Sequence, residues 1–235
     1  MTSSPRGFPT GGERALFALS IAGALTWGIA NWREGATGAL LFAKGATVGL
    51  LVVVALGRRR TTPGGALFAT ALAAHAIGDL LIERTLLAAV ASFFLGHLGY
   101  LTLFWRRRRP FDELRGSTKL ALGLLALAAA AFVVRLAPAL RSVERIAIPV
   151  YVIALLSMAG SALNVDRARR WVASGALLYV ASDALLSLDL FGRGAGDARH
   201  LTWPLYAAAQ LAIAWGWIGG GNGDDARMPA PTPPA

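Results

Sequence analysis

The sequence predicts an all-α fold, a polytopic membrane bundle of about eight transmembrane helices with both termini on the cytoplasmic side. Three observations predict it. Of the 235 residues, 55% are hydrophobic and only 15% are charged, well below the roughly 25% charged residues of a soluble domain. The apolar residues come in long blocks with the charges between them, as a bilayer requires when each span needs ~20 mostly apolar residues to cross ~30 Å of hydrocarbon. The basic residues are also unevenly shared between alternate loops, which sets an orientation.

Taken in order, the blocks fall at 14–30, 37–56, 65–82, 86–105, 117–135, 144–163, 170–190 and 200–218. The first follows Arg6 and Arg14 and contains Ala22-Gly23-Ala24, a small-residue stretch like a signal-peptide cleavage site. Only about seven apolar residues precede that stretch and the apolar run continues to Ala30, so the block reads as a retained span. The second carries Lys44 and ends at Arg58, Arg59 and Arg60. The third carries His75 and Asp79 and turns tightly through Glu83-Arg84-Thr85 into the fourth, which holds His97 and Tyr100 and stops at four arginines, Arg106 to Arg109. The fifth, rich in Ala and Leu, carries none of the ionisable residues found inside the other spans. The sixth carries Tyr151, the seventh Ser182 and Asp183, and the eighth Tyr206 and Gln210. Pro138, Pro149 and Pro204 do not argue against helices, because membrane helices tolerate proline. Gly78, Gly96, Gly99, Gly160 and Gly175 would let helix backbones approach closely. Six tryptophans, Trp27, Trp32, Trp105, Trp171, Trp203 and Trp217, lie near span ends, as interfacial anchors do.

The domain reading is a short cytoplasmic N-terminus over 1–13, an eight-helix transmembrane domain over 14–218 and a disordered Gly/Pro-rich tail over 219–235. The side shared by the N-terminus, alternate loops and the tail holds fifteen Arg and Lys residues against seven on the other, which puts both termini in the cytoplasm. The net charge of +10 is therefore topological. No aromatic–basic surface motif accompanies it, and no nucleic-acid partner is expected. The absence of cysteine excludes disulfides, thiol nucleophiles and thiolate metal sites.

Ionisable side chains inside spans are the informative residues. A charge at mid-bilayer costs ~2.5–3.5 kcal/mol on insertion scales, which makes each such residue a functional candidate. Lys44, His75, Asp79, His97 and Asp183 are these, with Tyr151, Ser182, Tyr206 and Gln210 as polar companions. Counted from the outer end of each span, they lie roughly 4 to 11 positions in, a layer ~6–16 Å below the outer boundary. His75 with Asp79 and Tyr206 with Gln210 are i,i+4 pairs and share helix faces. Plainer roles exist for each: Lys44 as interhelical glue with an aspartate, His75 as a neutral core histidine donating to a carbonyl, the tyrosines as packing residues, Asp189 as a boundary residue. As a set, two carboxylates, a lysine and a histidine in one layer exceed what ion pairing needs. No HExxH or clustered-histidine motif is present, so no metal and no cofactor is expected.

At these residues the sequence resembles the lysoplasmalogenase (YhhN-like) family of integral membrane hydrolases. The resemblance runs from the second span to the eighth. It is carried by Leu41-Phe42-Ala43-Lys44, Gly78-Asp79, Gly96-His97-Leu98-Gly99-Tyr100, Tyr151, Ser182-Asp183-Ala184-Leu185-Leu186 with Asp189, and Tyr206-Ala207-Ala208-Ala209-Gln210. The family often has proline after the lysine, where this chain has Gly45, and His75 is not part of the pattern.

The resemblance implies hydrolysis of the vinyl ether bond of lysoplasmalogen, giving a fatty aldehyde and glycerophosphoethanolamine or glycerophosphocholine. It implies a lysophospholipid substrate and membrane lipids as partners, and a bacterial inner (plasma) membrane as the location. Vinyl ethers resist base and yield to acid, so such an enzyme needs a carboxyl that is protonated and a second, ionised group to stabilise the cation. On this reading Asp79, Asp183 and His97 are the catalytic residues, and Lys44, Tyr100, Tyr151, Ser182, Tyr206 and Gln210 bind and orient the substrate. The alternative from another class is a transporter or channel for a small polar or lipid substrate, since buried charges also mark ion pathways. Nothing in the sequence fixes an oligomeric state.

Overall fold

Apolar blocks of this length can satisfy their backbone polar groups in hydrocarbon only as helices, and in the computed structural model the described residues form helices joined by short turns. It describes residues 8–33, 40–82, 84–110, 112–141, 143–165, 170–192 and 196–219. Among them run α1 (Gly11–Trp32), α2 (Leu41–Gly57), α3 (Gly65–Leu81), α4 (Leu86–Arg106), α5 (Gly116–Leu136), α6 (Glu144–Leu163), α7 (Arg170–Leu190) and α8 (Thr202–Gly219). The expected start of the second span at 37 and most of the 219–235 tail lie outside the described residues. Pro138 does not sit inside a span as expected. It falls in a 3-10 turn, Ala137–Ala139, directly after α5, where proline fits a chain leaving a helix. Pro149 does lie within α6.

Five of these helices, α1, α4, α5, α6 and α7, are long and apolar enough to cross a membrane; α2 and α3, at 17 residues each, are shorter apolar helices. The outer surface agrees with a lipid solvent. On α5, Leu127 is 67% and Val134 72% exposed, a level of apolar exposure that water would penalise and lipid does not. The chain is an integral membrane protein.

Consecutive helices pack side by side from α1 to α4, α4 continues to α6, then α7 and α8 follow, and α8 returns to α1 and α2. The outlier is α5, which rests chiefly on α6 and buries only Leu136. Small residues set the tightest crossings. A Cβ on Gly175 would stand 2.7 Å from the Ala209 carbonyl oxygen, and one on Gly216 would stand 2.9 Å from the Val172 nitrogen, so α7 and α8 meet backbone to backbone. Gly96 faces the His75 ring, with no room for a methyl group between α3 and α4.

Polar ties fix the ends. Thr10 caps α1 in a reciprocal box with Glu13, and the Glu13 carboxylate takes both a 2.5 Å and a 2.8 Å hydrogen bond from Arg58 at the end of α2. Trp203 Nε1 donates to the Ala24 carbonyl at 2.8 Å, and Trp217 Nε1 to the Pro63 carbonyl at 3.2 Å. The Arg109 N–H reaches the Asn164 carbonyl at 3.0 Å, which puts the ends of α4 and α6 on one side. Of the six tryptophans expected at interfaces, Trp32, Trp105 and Trp171 are exposed there, whereas Trp27, Trp203 and Trp217 are buried between helices. Helix ends that pack inward draw their aromatics into the bundle, and end position alone does not distinguish the two fates.

Candidate functional site

The ionisable layer forms where α2, α3, α4, α6, α7 and α8 turn their polar faces inward. Helical spacing does the placing: residues four apart share a face, so Tyr179 lies under Asp183 on α7 and His75 under Asp79 on α3, while on α4, which runs the other way, Phe93 lies above His97 at the level of Gly78. Lys44, Asp79, His97, Tyr100, Ser182, Asp183, Tyr206 and Gln210 are all buried, and Tyr151 is partly buried. Buried polar groups persist only when paired, and the pairing here runs in two strings.

One string serves Asp183. Tyr151 donates its hydroxyl proton to Asp183 Oδ2 across 2.6 Å, and His97 Nε2 stands 2.9 Å from the same hydroxyl oxygen and 3.6 Å from Asp183 Oδ2. Because Tyr151 has one proton and gives it to the carboxylate, the imidazole completes the contact as donor, which assigns the His97 proton to Nε2. The other string serves Asp79. Tyr206 donates to Asp79 Oδ2 at 2.7 Å, and Tyr100 donates to Gln210 Oε1 at 2.8 Å, one turn below Tyr206 on α8. Lys44 and Asp183 both lie within electrostatic reach of Asp79, which brings the two strings together. The Lys44 ammonium also faces the rings of Trp27 and Trp203, 5.1 Å and 5.8 Å from their centroids, in cation–π range.

Two of the expected site residues make their contacts within the bundle. Ser182 donates to the Thr202 carbonyl at 2.9 Å, tying α7 to the start of α8. Tyr100 is packed between Phe68 and Phe104 beneath the carboxylates. His75 fits the core-histidine reading: its Nδ1 lies 2.8 Å from the Ala71 carbonyl, whose only role there is acceptor. Sequence reasoning missed Tyr179, whose ring stands 4.7 Å from that of His97 and 5.3 Å from that of Tyr206. The i,i+4 rule applied to His75 and Asp79 would have found it from Asp183. Among the described residues no group of three or more His, Asp or Glu side chains is placed to hold a metal ion.

Beside the first string opens an apolar cavity of about 400 Å³ walled by α4, α5, α6 and α7, a volume within the usual range for small-molecule sites. Its polar lining is confined to Glu144, Tyr151, Asp183 and Ser187. Asp183 and Tyr151 form part of its wall; Asp79 does not, lying one turn before the lining residue Ile82. The two aspartates thus differ in access, one facing the cavity and one enclosed by α8. Chemically, the arrangement presents a carboxyl with an attached hydroxyl–imidazole relay to the side of a long apolar molecule.

Comparison with known proteins gives the same chain segment a family. Over 145 residues, 61% of this chain, it is 30% identical to proteins named lysoplasmalogenase from Mycobacterium bovis and Mycobacterium tuberculosis. The aligned stretch makes up 54% of each of them, so the chain spans about half the length of the curated relatives it matches. No solved structure is significantly similar. The match to the YhhN family covers residues 39–217, from the helix of Lys44 to that of Gln210, and the chain belongs to that family.

Proposed function

We propose that this protein hydrolyses the vinyl ether bond of a lysoplasmalogen, releasing a fatty aldehyde and glycerophosphoethanolamine or glycerophosphocholine. The observation that carries the reading is the place of Asp183, hydrogen-bonded to Tyr151, in the wall of a cavity otherwise apolar enough for a hydrocarbon chain. The names of the mycobacterial relatives support the same substrate.

The alkenyl chain lies in the cavity with its double bond against Asp183. The carboxylic acid form of Asp183 delivers a proton to the alkenyl carbon beyond the ether-bearing one, which leaves an oxocarbenium ion facing the new carboxylate. That negative charge stabilises the cation, as in a glycosidase. Water adds to the cationic carbon and returns a proton to Asp183, and the hemiacetal collapses to aldehyde and alcohol. Water is consumed, and no other reactant is needed. Tyr151 holds the carboxyl and His97 holds Tyr151. Asp79, fixed by Tyr206, lies behind the wall, and the pair Asp79 and Asp183 acts with unequal access to substrate. Tyr100, Ser182 and Gln210 position these groups.

All eight helices serve as spans in this reading, α2, α3 and α8 included, with both termini cytoplasmic in a bacterial inner membrane. The loop arginines support that orientation, and it puts the cavity's polar end in the outer leaflet. The loosely packed α5 is the side from which a lysolipid slides in from the bilayer.

The test is mass spectrometry of purified protein with vinyl-ether, alkyl-ether and ester lysolipids in D2O. The expected result is cleavage of the vinyl ether alone, with one deuterium on the carbon next to the aldehyde. Flux of intact lysolipid across proteoliposomes without conversion would replace this reading with transport.

A further inference from the structure

Apolar walls explain how a hydrocarbon tail is held but leave the head group unassigned, and the outer end of the cavity has its own chemistry. Three lining residues come from the helix ends on that side. Glu144 is the first residue of α6, Phe132 lies one turn before the end of α5, and Phe191 directly follows α7. Phe132 and Phe191 pack into the same small cluster, on Leu136, Leu140 and Ile148. Glu144 is half-buried, and its Oε2 accepts the Arg141 backbone N–H at 2.8 Å, which orients the carboxylate and leaves Oε1 for another partner. No Lys or Arg lines the cavity among the described residues. Arg141 and Arg145 stand exposed just outside, beside Glu144 in the chain.

We propose that Glu144, with Phe132 and Phe191, binds the ammonium group of a choline or ethanolamine head group while the tail occupies the apolar depth of the cavity. The inference rests on the reading of this cavity as a lysolipid site. A carboxylate beside aromatic faces is the chemistry that recognises a substituted ammonium ion, and the exposed arginines suit the adjoining phosphate. The dimensions agree. Glu144 and Tyr151 are seven residues apart on one helix, ~10 Å at 1.5 Å per residue. Nine bonds separate the ether oxygen of the substrate from its head-group nitrogen, an extended length of ~11 Å at ~1.2 Å per bond. A substrate with its ammonium at Glu144 therefore has its vinyl ether at the level of Tyr151 and Asp183. The same carboxylate also lies in the first turn of α6, where a negative charge favours the helix, so the test must separate binding from stability.

The probes are non-cleavable alkyl-ether lysolipids of one tail length carrying phosphocholine, phosphoethanolamine or phosphoglycerol, with binding to the purified full chain measured by tryptophan fluorescence and folding by thermal unfolding. Glu144→Gln is expected to weaken the choline and ethanolamine lipids about three- to fivefold, the range of a partly exposed ion pair, and to leave the phosphoglycerol lipid unchanged. Glu144→Asp, which keeps the charge, is expected to retain most of the preference and serves if the glutamine variant does not fold. Equal weakening of all three lipids, or of none, overturns the proposal. Because these probes are not cleaved, a wild-type protein that binds them with the expected preference but releases no aldehyde from the vinyl-ether lipid leaves the head-group site standing and removes the hydrolytic reading. Aldehyde release without head-group preference does the reverse.

Discussion

Tyr151 on α6 and Asp183 on α7 share a 2.6 Å hydrogen bond at the wall of the cavity, with the hydroxyl as donor and Asp183 Oδ2 as acceptor. Residues 32 positions apart in the chain thus make one unit, which His97 extends into α4. Tyr151→Phe removes the hydroxyl that both neighbours use and changes shape little. Loss of a hydrogen bond to a charged group is worth ~1.5–3 kcal/mol, so aldehyde release by folded Tyr151→Phe should fall about 10- to 100-fold in kcat. Unchanged kcat would remove the relay from the mechanism.

Asp79 acts from behind the wall, and its substitution should read differently. Tyr206→Phe leaves the buried Asp79 Oδ2 without its donor, which costs ~1–3 kcal/mol of stability and should appear in thermal unfolding. With Asp79→Asn it should form a non-additive pair, coupled by ~0.5–3 kcal/mol. In both single variants kcat should change more than KM, because neither side chain lines the cavity. A rise in KM alone would mean that Asp79 contacts substrate.

Most of the fold was legible because a bilayer admits few solutions. Blocks of apolar residues bounded by arginine had to be helices, and 144–163 and 170–190 match α6 and α7 to the residue. The polar layer was legible for the same reason, since Lys44, Asp79, His97 and Asp183 have no other reason to be inside spans. Pairing across helices was not legible. Nothing along the chain says that Tyr151 meets Asp183 while Tyr206 meets Asp79, because helix rotation and neighbour order decide it. Asp79 and Asp183 look alike in sequence, yet only Asp183 lines the cavity: Tyr206 of α8 is bonded to Asp79, while the loosely packed α5 leaves space beside Asp183. Trp27 and Trp203 were read as interfacial and instead face Lys44.

The crossing of α3 and α4 makes a prediction about stability. A methyl group at position 96 would collide with the His75 ring, whereas Gly123 on α5 has open space where its Cβ would stand. Gly96→Ala should therefore destabilise by ~1–3 kcal/mol through overpacking. Gly123→Ala should stabilise by up to ~1 kcal/mol through helix propensity. Thermal unfolding in detergent checks both. Equal effects would mean that His75 does not hold α3 against α4 at this position.

Cavity depth should act as a ruler for the tail. Leu125 lines the cavity from α5, about two turns below Phe132, and Leu125→Trp would fill its inner end. Each methylene denied burial forfeits ~0.8 kcal/mol, so two excluded carbons should raise KM about tenfold for long-chain lysolipids. Shorter tails should keep their wild-type KM. A uniform change across chain lengths would put the tail elsewhere.

The most direct test compares aldehyde release from a vinyl-ether lysolipid by purified wild-type protein and by Asp183→Asn, both shown to be folded by their unfolding transitions. Asparagine keeps an acceptor for the Tyr151 hydroxyl and cannot carry the proton. The account predicts steady release by the wild type and a loss of ~1,000-fold in the variant, within the roughly 10²–10⁴-fold that a general acid–base group contributes. Turnover by Asp183→Asn near the wild-type rate would contradict it.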